Sequence, residues 1–401
     1  MRAPVFLRAS QFFLARPVAA LALALLGACG SVPVSAPGTG VQPSWPAPVG
    51  VTPGTSAVPV DAGVTGPVLL QRNSRWVPVP WDELPGFDVD ALFEAWNAWL
   101  KSCERPGAVF APLCPEVRRL SIGDEAAQRA WLQSRLQPYR VEPLQGGPAP
   151  GLLTAYFEPE FSARRQPGEG FNTPLYQLPA GLSLGKPWFS RRDADTLPEA
   201  QAALRGRELL YLTDPVDAML LQIQGSGRMR VTEPDGRQRL VRLAYAGHNG
   251  QPYQSIGRWL LDQGEVRDAS WPGIRAWISQ NPQRVAELLW QNPRLVFFKE
   301  ETLGDFDAGF GPRGAQGVPL TPGRSIAVDP QSIPYGTPVW LASEGPNLSL
   351  QRLVLAQDTG SAIVGAARAD YFVGWGAQAG ELAGRLKQPL RLWVLWPKSQ
   401  Q

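Results

Sequence analysis

A chain of 401 residues, 44% of them hydrophobic and 18% charged, is long enough for two domains with proper cores. Its 41 Gly and 41 Pro favour short strands and turns over a helical bundle. Lys and Arg number 38 against 35 Asp and Glu, and Arg2, Arg8 and Arg16 fall in a segment expected to be removed, so the remaining chain is near neutral. No basic stripe stands out, which argues against nucleic acid as a partner.

The N-terminus reads as a secretion signal. Three arginines precede an apolar run, Pro17 to Leu26, too short to span a bilayer as a stable helix. The run closes on Leu26-Gly27-Ala28-Cys29, similar to a bacterial lipobox, so residues 1–28 are expected to be a lipoprotein signal peptide with Cys29 as the lipidated residue. The alternative is an ordinary cleavage site with an incidental Cys. Gly30 stands where an inner-membrane retention signal would have Asp, which favours an outer-membrane lipoprotein facing the periplasm. Residues 30–68 are rich in Pro, Val, Gly, Ser and Thr, carry Asp61 as their only charge and show no amphipathic period. With their flanks (29–74) they read as a lipid-anchored linker that cannot bury a core.

The folded body begins near residue 75. Leu92, Phe93, Trp96, Trp99, Leu100 and Cys103 fall at helical spacing over 88–103, with Asp88 as the N-cap. A second helix over 123–136 places Ala127, Ala130, Trp131 and Leu136 inward. Cys103 and Cys114, 11 apart, pair in an oxidising compartment; two reduced buried thiols are the alternative. One His and no CxxC argue against a metal site.

From Gly151 to Phe157 the pattern has period two, so Thr154 and Tyr156 share a face and offer a hydroxyl and an aromatic plate. Residues 159–285 read as short β-rich pieces with Pro/Gly turns, among them 208–214, 219–231 and 237–247. In Gln222-Ile223-Gln224-Gly225-Ser226-Gly227 strand alternation would carry both amides to one face, although a plain hairpin turn explains the glycines equally well. His248 lies in a turn-like stretch and receives no role. Helices are expected at 253–263 and 282–291, the latter opened by Asn281-Pro282. Short strands then alternate with loops to the C-terminus. One of them, Leu353 to Ala356, is an apolar run that delivers Asp358 to a Gly-rich stretch containing Asp370, Gly374, Gly376 and Gly380. Both acids could equally be turn caps.

Residues 358–380, DTGSAIVGAARADYFVGWGAQAG, resemble the signature of the lytic murein transglycosylase A (MltA) family. Asp329, in SIAVDPQSIPYGTPVW, is similar to the first acid of the C-terminal three-aspartate (3D) domain of that family. GLLTAYFEPE from Gly151, LQIQGSGRMRV at 221–231 and RLAYAGHNGQPYQSIGRWLLDQGEV at 242–266 are similar to family motifs in the same order. Composition alone supports only an α+β protein of two domains; with the strand pattern and the resemblance the fold reads as mainly β with peripheral helices. The resemblance implies a double-psi β-barrel (3D) domain built from 75–158 and 286–401, with 295–300 as the strand that re-enters it. It implies a second, inserted β domain over 159–285.

The inventory limits the chemistry. A single His leaves no Ser-His-Asp triad, no P-loop or dinucleotide fingerprint is present, and no cofactor is called for. Carboxylates suffice for glycosidic cleavage. The resemblance implies a carbon–oxygen lyase acting on peptidoglycan glycan strands, with Asp358 as general acid and then base. It implies that Asp329 and Asp370 orient groups or raise the pKa of Asp358 by like charge, and that Thr154, Tyr156, Gln224, Gly225 and Ser226 contact the glycan. Murein synthases or other murein hydrolases are expected partners. Two other readings fit the same residues: a two-carboxylate inverting hydrolase, and a non-catalytic glycan-binding lipoprotein.

Overall fold

The structure, a computed structural model, describes residues 66–147, 151–183, 185–346 and 348–398. The expected signal segment, Cys29 and most of the linker lie outside the described residues. The end of that linker is part of the fold: β1 (Leu69–Leu70) pairs with β2 (Arg75–Pro78), and Asn73 and Ser74 reach Asp329 and the Ser332 carbonyl. Helices α1 (Leu92–Ser102), α2 (Cys114–Arg119) and α3 (Glu125–Arg135) follow, then β3 (Leu136–Glu142) and β4 (Gly151–Glu158). A second body comes next, with β5 (Glu160–Arg164), β6 (Thr173–Tyr176), α4 (Arg191–Thr196), α5 (Pro198–Leu204), β7 (Glu208–Leu212), α6 (Pro215–Gln224) and β8 (Ser226–Thr232). It continues with β9 (Gln238–His248), α7 (Ile256–Asp262), α8 (Trp271–Gln280), α9 (Val285–Trp290) and β10 (Val296–Thr302). The chain returns through β11 (Ser325–Val328), β12 (Pro338–Glu344), β13 (Ser349–Asp358), β14 (Arg368–Trp375), α10 (Gly376–Arg385) and β15 (Lys387–Pro397).

Six strands close a ring in the order β4, β14, β11, β13, β12, β15 and back to β4. Two neighbours are parallel, β14 with β4 and β11 with β13. The far end of β15 also carries β3, which extends the sheet through β2 to β1. The ring strands read as unbroken apolar runs because both faces are buried. Val339, Leu341, Val354, Ala356, Leu392 and Val394 belong to one core, while their alternates Trp340, Ala342, Leu353, Leu355, Trp393 and Leu395 belong to another, under α1 to α3.

That second core is rich in tryptophan: Trp96, Trp99 and Trp131 meet pairwise at ring separations of 5.5 to 5.6 Å. Arg324, almost wholly buried, forks onto Asp90 (2.8 and 2.9 Å) and also reaches Glu94, fixing α1 and the turn before it against the barrel. The expected helices are present with shifted faces. Asp88 does not cap α1, whose N-cap position is Ala91, and Phe93 is exposed. In α3 the buried stripe is Gln128, Trp131 and Leu132, one residue round from the predicted Ala127 and Ala130, which are exposed. Asp124 caps that helix through Ala127 N at 2.7 Å.

Cys103 and Cys114 form a disulfide with Cα atoms 5.6 Å apart, tying the end of α1 to the start of α2. Closing so short a loop contributes about 3 kcal/mol in the chain-entropy model. The Cys103→Ala, Cys114→Ala double variant should lose about that much in a urea titration. An unchanged midpoint would show that the Trp cluster alone holds the helices.

The second body is a six-stranded sheet ordered β10, β9, β8, β5, β7, β6, with Leu210, Met229, Val231, Val241, Leu243 and Phe298 in its core. Here β10 departs from expectation: residues 295–300 do not re-enter the barrel. Lys299 registers on Ala244, so β10 stays as the edge of this sheet. Phe297 and Phe298 each bury a ring on one of its faces, which a short apolar run cannot reveal in advance. The Gly-rich stretch after β14 is also not all loop, since Gly376 and Gly380 fall in α10 and Gly380 lies against the Phe157 ring.

Candidate active site

Between the barrel and the second sheet lies a cleft of about 560 Å³. Its barrel wall carries Tyr156, Asp358, Gly360 and the 312–315 loop; its other wall carries the end of α6 with Tyr245, His248, Tyr253 and Arg294. The walls are joined by a buried ion cluster. Glu158, fully buried at the end of β4, pairs with Arg228 of β8 at 2.9 Å and Arg242 of β9 at 2.5 Å. Both arginines also donate to the Phe310 carbonyl, and Arg228 lies over the Trp375 ring at 3.8 Å.

Asp358 is the last residue of β13, half-buried and pointing into the cleft. Its carboxylate accepts from the Tyr156 hydroxyl and from Ala315 N, each at 2.9 Å. Burial pushes its pKa up to about 6; the donors Thr359 N, Ala315 N and Tyr156 pull the other way, and the charge of Asp370 adds to the rise. Tyr156 is raised well above its ordinary value by burial and by Asp358, so it stays a donor. The 312–315 loop can come this close because Gly314 has no side chain: a Cβ there would meet the Gln357 carbonyl at 2.5 Å.

The other two acids sit differently. Asp370 on β14 and Asp358 on β13 both register on Ala327 of β11, one from each side, so their backbones are two strands, roughly 10 Å, apart. Asp370 accepts from the Thr154 hydroxyl, which in turn accepts from Arg368 at 2.9 Å. Burial raises its pKa, against the Thr154 bond and the Arg368 charge. Asp329 is buried and holds loops together, accepting from Asn73 (2.8 Å), Gly365 N (2.9 Å) and Gln331 N (2.9 Å). Burial pushes its pKa up, but these donors outweigh it and keep the group below its ordinary value. Of the two companions, it is Asp370 whose charge acts on Asp358.

The expected glycan contacts divide. Gln224, Gly225 and Ser226 line the cleft, but the segment before them is a helix, α6, and not a strand. Asp214 caps it through Val216 N at 2.8 Å, Pro215 opens it, and Gly225 ends it at φ 82°. These start and stop signals were in the sequence and outweigh the apparent alternation. The Gln224 amide oxygen accepts from Phe157 N at 3.1 Å, tying the helix end to β4. Tyr156 lines the cleft with its hydroxyl engaged on Asp358 and its ring 5.3 Å from that of Phe372. Thr154 shares its face of β4 but is not on the cleft wall; its hydroxyl is committed to Asp370 and Arg368.

Sequence reasoning missed Tyr245, Tyr253, Arg294 and the 312–315 loop. The run Gly311-Pro-Arg-Gly314 was a usable signal for the loop, and Tyr245 and Tyr253 lie in the family-like stretch 242–266; Arg294 has no such signal and is brought in only by the pairing of β9 with β10. His248 lines the cleft, where its Nδ1 accepts from Gly250 N at 2.9 Å, and burial, then the Arg294 charge, lowers its pKa. Among the described residues no cluster of three or more His, Cys, Asp or Glu could hold a metal ion.

Comparison with known proteins agrees with this arrangement. Residues 152–299 match the MltA specific insert domain and residues 324–396 match the 3D domain. A membrane-bound lytic murein transglycosylase A of Vibrio cholerae is 35% identical over 269 residues, 63% of this chain and 67% of that one. The chain thus spans about two thirds of that relative's length. The structure of the lytic transglycosylase LtgG of Burkholderia pseudomallei is 42% identical, with a TM-score of 0.56, covering 84% of this chain and 99% of that one. The structure of Escherichia coli MltA with bound chitohexaose is 26% identical, with a TM-score of 0.62, over 82% of this chain and 93% of that one. On these matches, and on a barrel and insert that meet over a carboxyl-bearing cleft, the chain belongs to the lytic murein transglycosylase A family.

Proposed function

We propose that the chain is a peptidoglycan lytic transglycosylase that cleaves the β-1,4 bond between MurNAc and GlcNAc, with Asp358 performing both proton transfers. The observation that carries this reading is Asp358 itself, raised to about 6 by burial and set on a cleft wall at the end of a barrel strand. In the protonated form it donates to the glycosidic oxygen as the C1–O bond breaks. The carboxylate left behind takes the proton of the MurNAc C6 hydroxyl while O6 bonds to C1. The products are a 1,6-anhydroMurNAc end and a free GlcNAc hydroxyl, water is neither consumed nor released, and Asp358 returns to its starting form. The nucleophile is tethered to the reacting sugar, which gives it the advantage of an intramolecular reaction. Tyr156 and Ala315 N orient the carboxyl group. Asp370 raises the proton affinity of Asp358 without touching the cleft, and Asp329 holds the loop between β13 and β14 through Gly365 N.

Mass analysis of products from purified sacculi tests the reaction: the new muramic ends should be lighter by one water than free reducing ends. Because the acid must begin protonated, kcat/KM should fall about tenfold per pH unit above about 6. Free reducing ends would replace this reading with the two-carboxylate hydrolase, and binding without cleavage would leave a glycan-binding protein.

We further propose that Cys29 carries a lipid that holds the protein on the periplasmic face of the outer membrane. The Vibrio cholerae relative is named as membrane-bound, and among the described residues no helix is long and apolar enough to cross a membrane. Palmitate labelling should mark the wild type and not Cys29→Ser; equal labelling of both would remove the anchor.

A further inference from the structure

The charges on the cleft wall do not balance. Arg294, Lys299, Glu301, Arg313 and Asp358 line it together with His248, whose pKa is lowered by burial and by the nearby Arg294. Lys299 and Glu301 pair with each other at 2.8 Å. Arg294 and Arg313 remain against the single carboxyl of Asp358. Among the described residues neither is ion-paired with a carboxylate, and each uses one N–H to fix itself on a backbone carbonyl. Arg294 Nε donates to Gln251 at 2.9 Å, and Arg313 Nη1 donates to Gly317 at 3.1 Å. The remaining guanidinium donors are free to take an anion in a geometry already set. Tyr245, Tyr253 and His248 lie near enough to Arg294 for its charge to act on all three.

A neutral N-acetylglucosamine polymer has no use for two unpaired guanidinium groups. A glycan containing muramic acid carries a carboxyl-bearing substituent on every second sugar. We propose that Arg294, aided by Arg313 on the barrel-side loop, forms a carboxylate-binding subsite that selects the acidic substituent of the muramoyl residue over a neutral sugar. This rests on the reading of the cleft as a murein glycan site. The carboxylate has two possible sources, the lactyl group of a peptide-free MurNAc and the acidic residues of an attached stem peptide.

The test uses the full chain carrying Asp358→Asn, so that ligands are bound and not turned over. Calorimetric titrations at low salt compare chitohexaose, peptide-free MurNAc-GlcNAc oligomers of equal length, and the same oligomers with stem peptides. Anionic oligomers should bind roughly tenfold or more tightly than chitohexaose, and Arg294→Gln should erase that preference while changing chitohexaose affinity less than about twofold. Arg294→Lys should restore part of it, and Arg313→Gln should reduce it by a smaller factor. A preference already present in peptide-free oligomers identifies the lactyl carboxylate, and one confined to peptide-bearing oligomers identifies the stem; either supports the subsite. Equal affinity for neutral and anionic oligomers, or an Arg294→Gln variant that weakens both alike, overturns it. Should Arg294→Gln not fold, the exposed Arg313→Gln decides alone, and an unchanged preference there overturns the proposal. Hydrolytic product ends would sink the transglycosylase reading yet leave this preference in place, so the two failures are separable.

Discussion

Asp358→Asn should cut turnover on sacculi by a factor on the order of 10⁴ and at the same time make the protein harder to unfold above about pH 6. The first effect follows because one group is both acid and base, and an amide can do neither; glycan affinity should stay near wild type, as for an interaction made in the transition state. The second follows from the sign of the shift. The folded chain holds the Asp358 proton more tightly than the unfolded chain, so the group stabilises the fold below about pH 4. That contribution is lost as pH rises to about 6, where a charged carboxylate must stay buried. Removing the charge recovers at most about 3 kcal/mol at pH 8 and almost nothing at pH 4. Asp329→Asn is the control with the opposite sign. Its carboxylate is held below the usual range by three donors, so its contribution is present above about pH 4 and lost on acidification. Its loss should destabilise by about 1–3 kcal/mol at pH 7. Melting temperatures and sacculus digestion at the two pH values check both. Asp370→Asn should lower the rate less than Asp358→Asn; equal losses would mean that two carboxylates share the chemistry.

Glu158→Ala should destabilise the chain by about 3–5 kcal/mol and abolish glycan binding together with stability. The substitution strands Arg228 and Arg242, both nearly fully buried, without their counter-charge, and burial already pushes Arg228 toward losing its proton. These bonds join β4 of the barrel to β8 and β9 and hold the Ala308 and Phe310 carbonyls, so the cleft walls would part. Replacing all three with Leu, Met and Met should restore much of the stability, because a buried ion cluster is worth little against apolar packing of like volume. A urea titration separates the cases. If Glu158→Ala costs under about 1 kcal/mol, the walls are held by something else.

The sequence exposed the chemistry more readily than the framework. Asp358 was legible because a buried strand ending on an acid before a Gly-rich stretch is a local pattern. How far its pKa rises was not, since that balances burial in the folded cleft against donors from Tyr156, about 200 positions away, and from the 312–315 loop. Strand identity in the barrel was legible as apolar runs, but their order was not, because both faces are buried and no alternation marks a register. The helix α6 is legible in principle: Asp214-Pro215 and Gly225 punctuate it, and such ends outweigh two amides spaced by two residues. Thr154 shows the limit of period-two reasoning. Sharing a face with Tyr156 does not place it in the same cavity, because the neighbour across the sheet, Asp370, captures its hydroxyl first.

The ring of six strands is closed by β15 against β4, where Lys387 meets Thr154 and Leu390 meets Gly151. Partners so distant in the chain carry a large loop-closure entropy, and long-range pairing of this kind slows folding. The second body needs nothing beyond residue 302 for its sheet and can assemble while the barrel is still open. The final strand serves three neighbours at once, β3, β12 and β4. Its arrival therefore completes in one step the wall that carries Asp358 and the strand that carries Tyr156, and a chain that stops short of it has an ordered insert beside an unclosed, edge-exposed sheet.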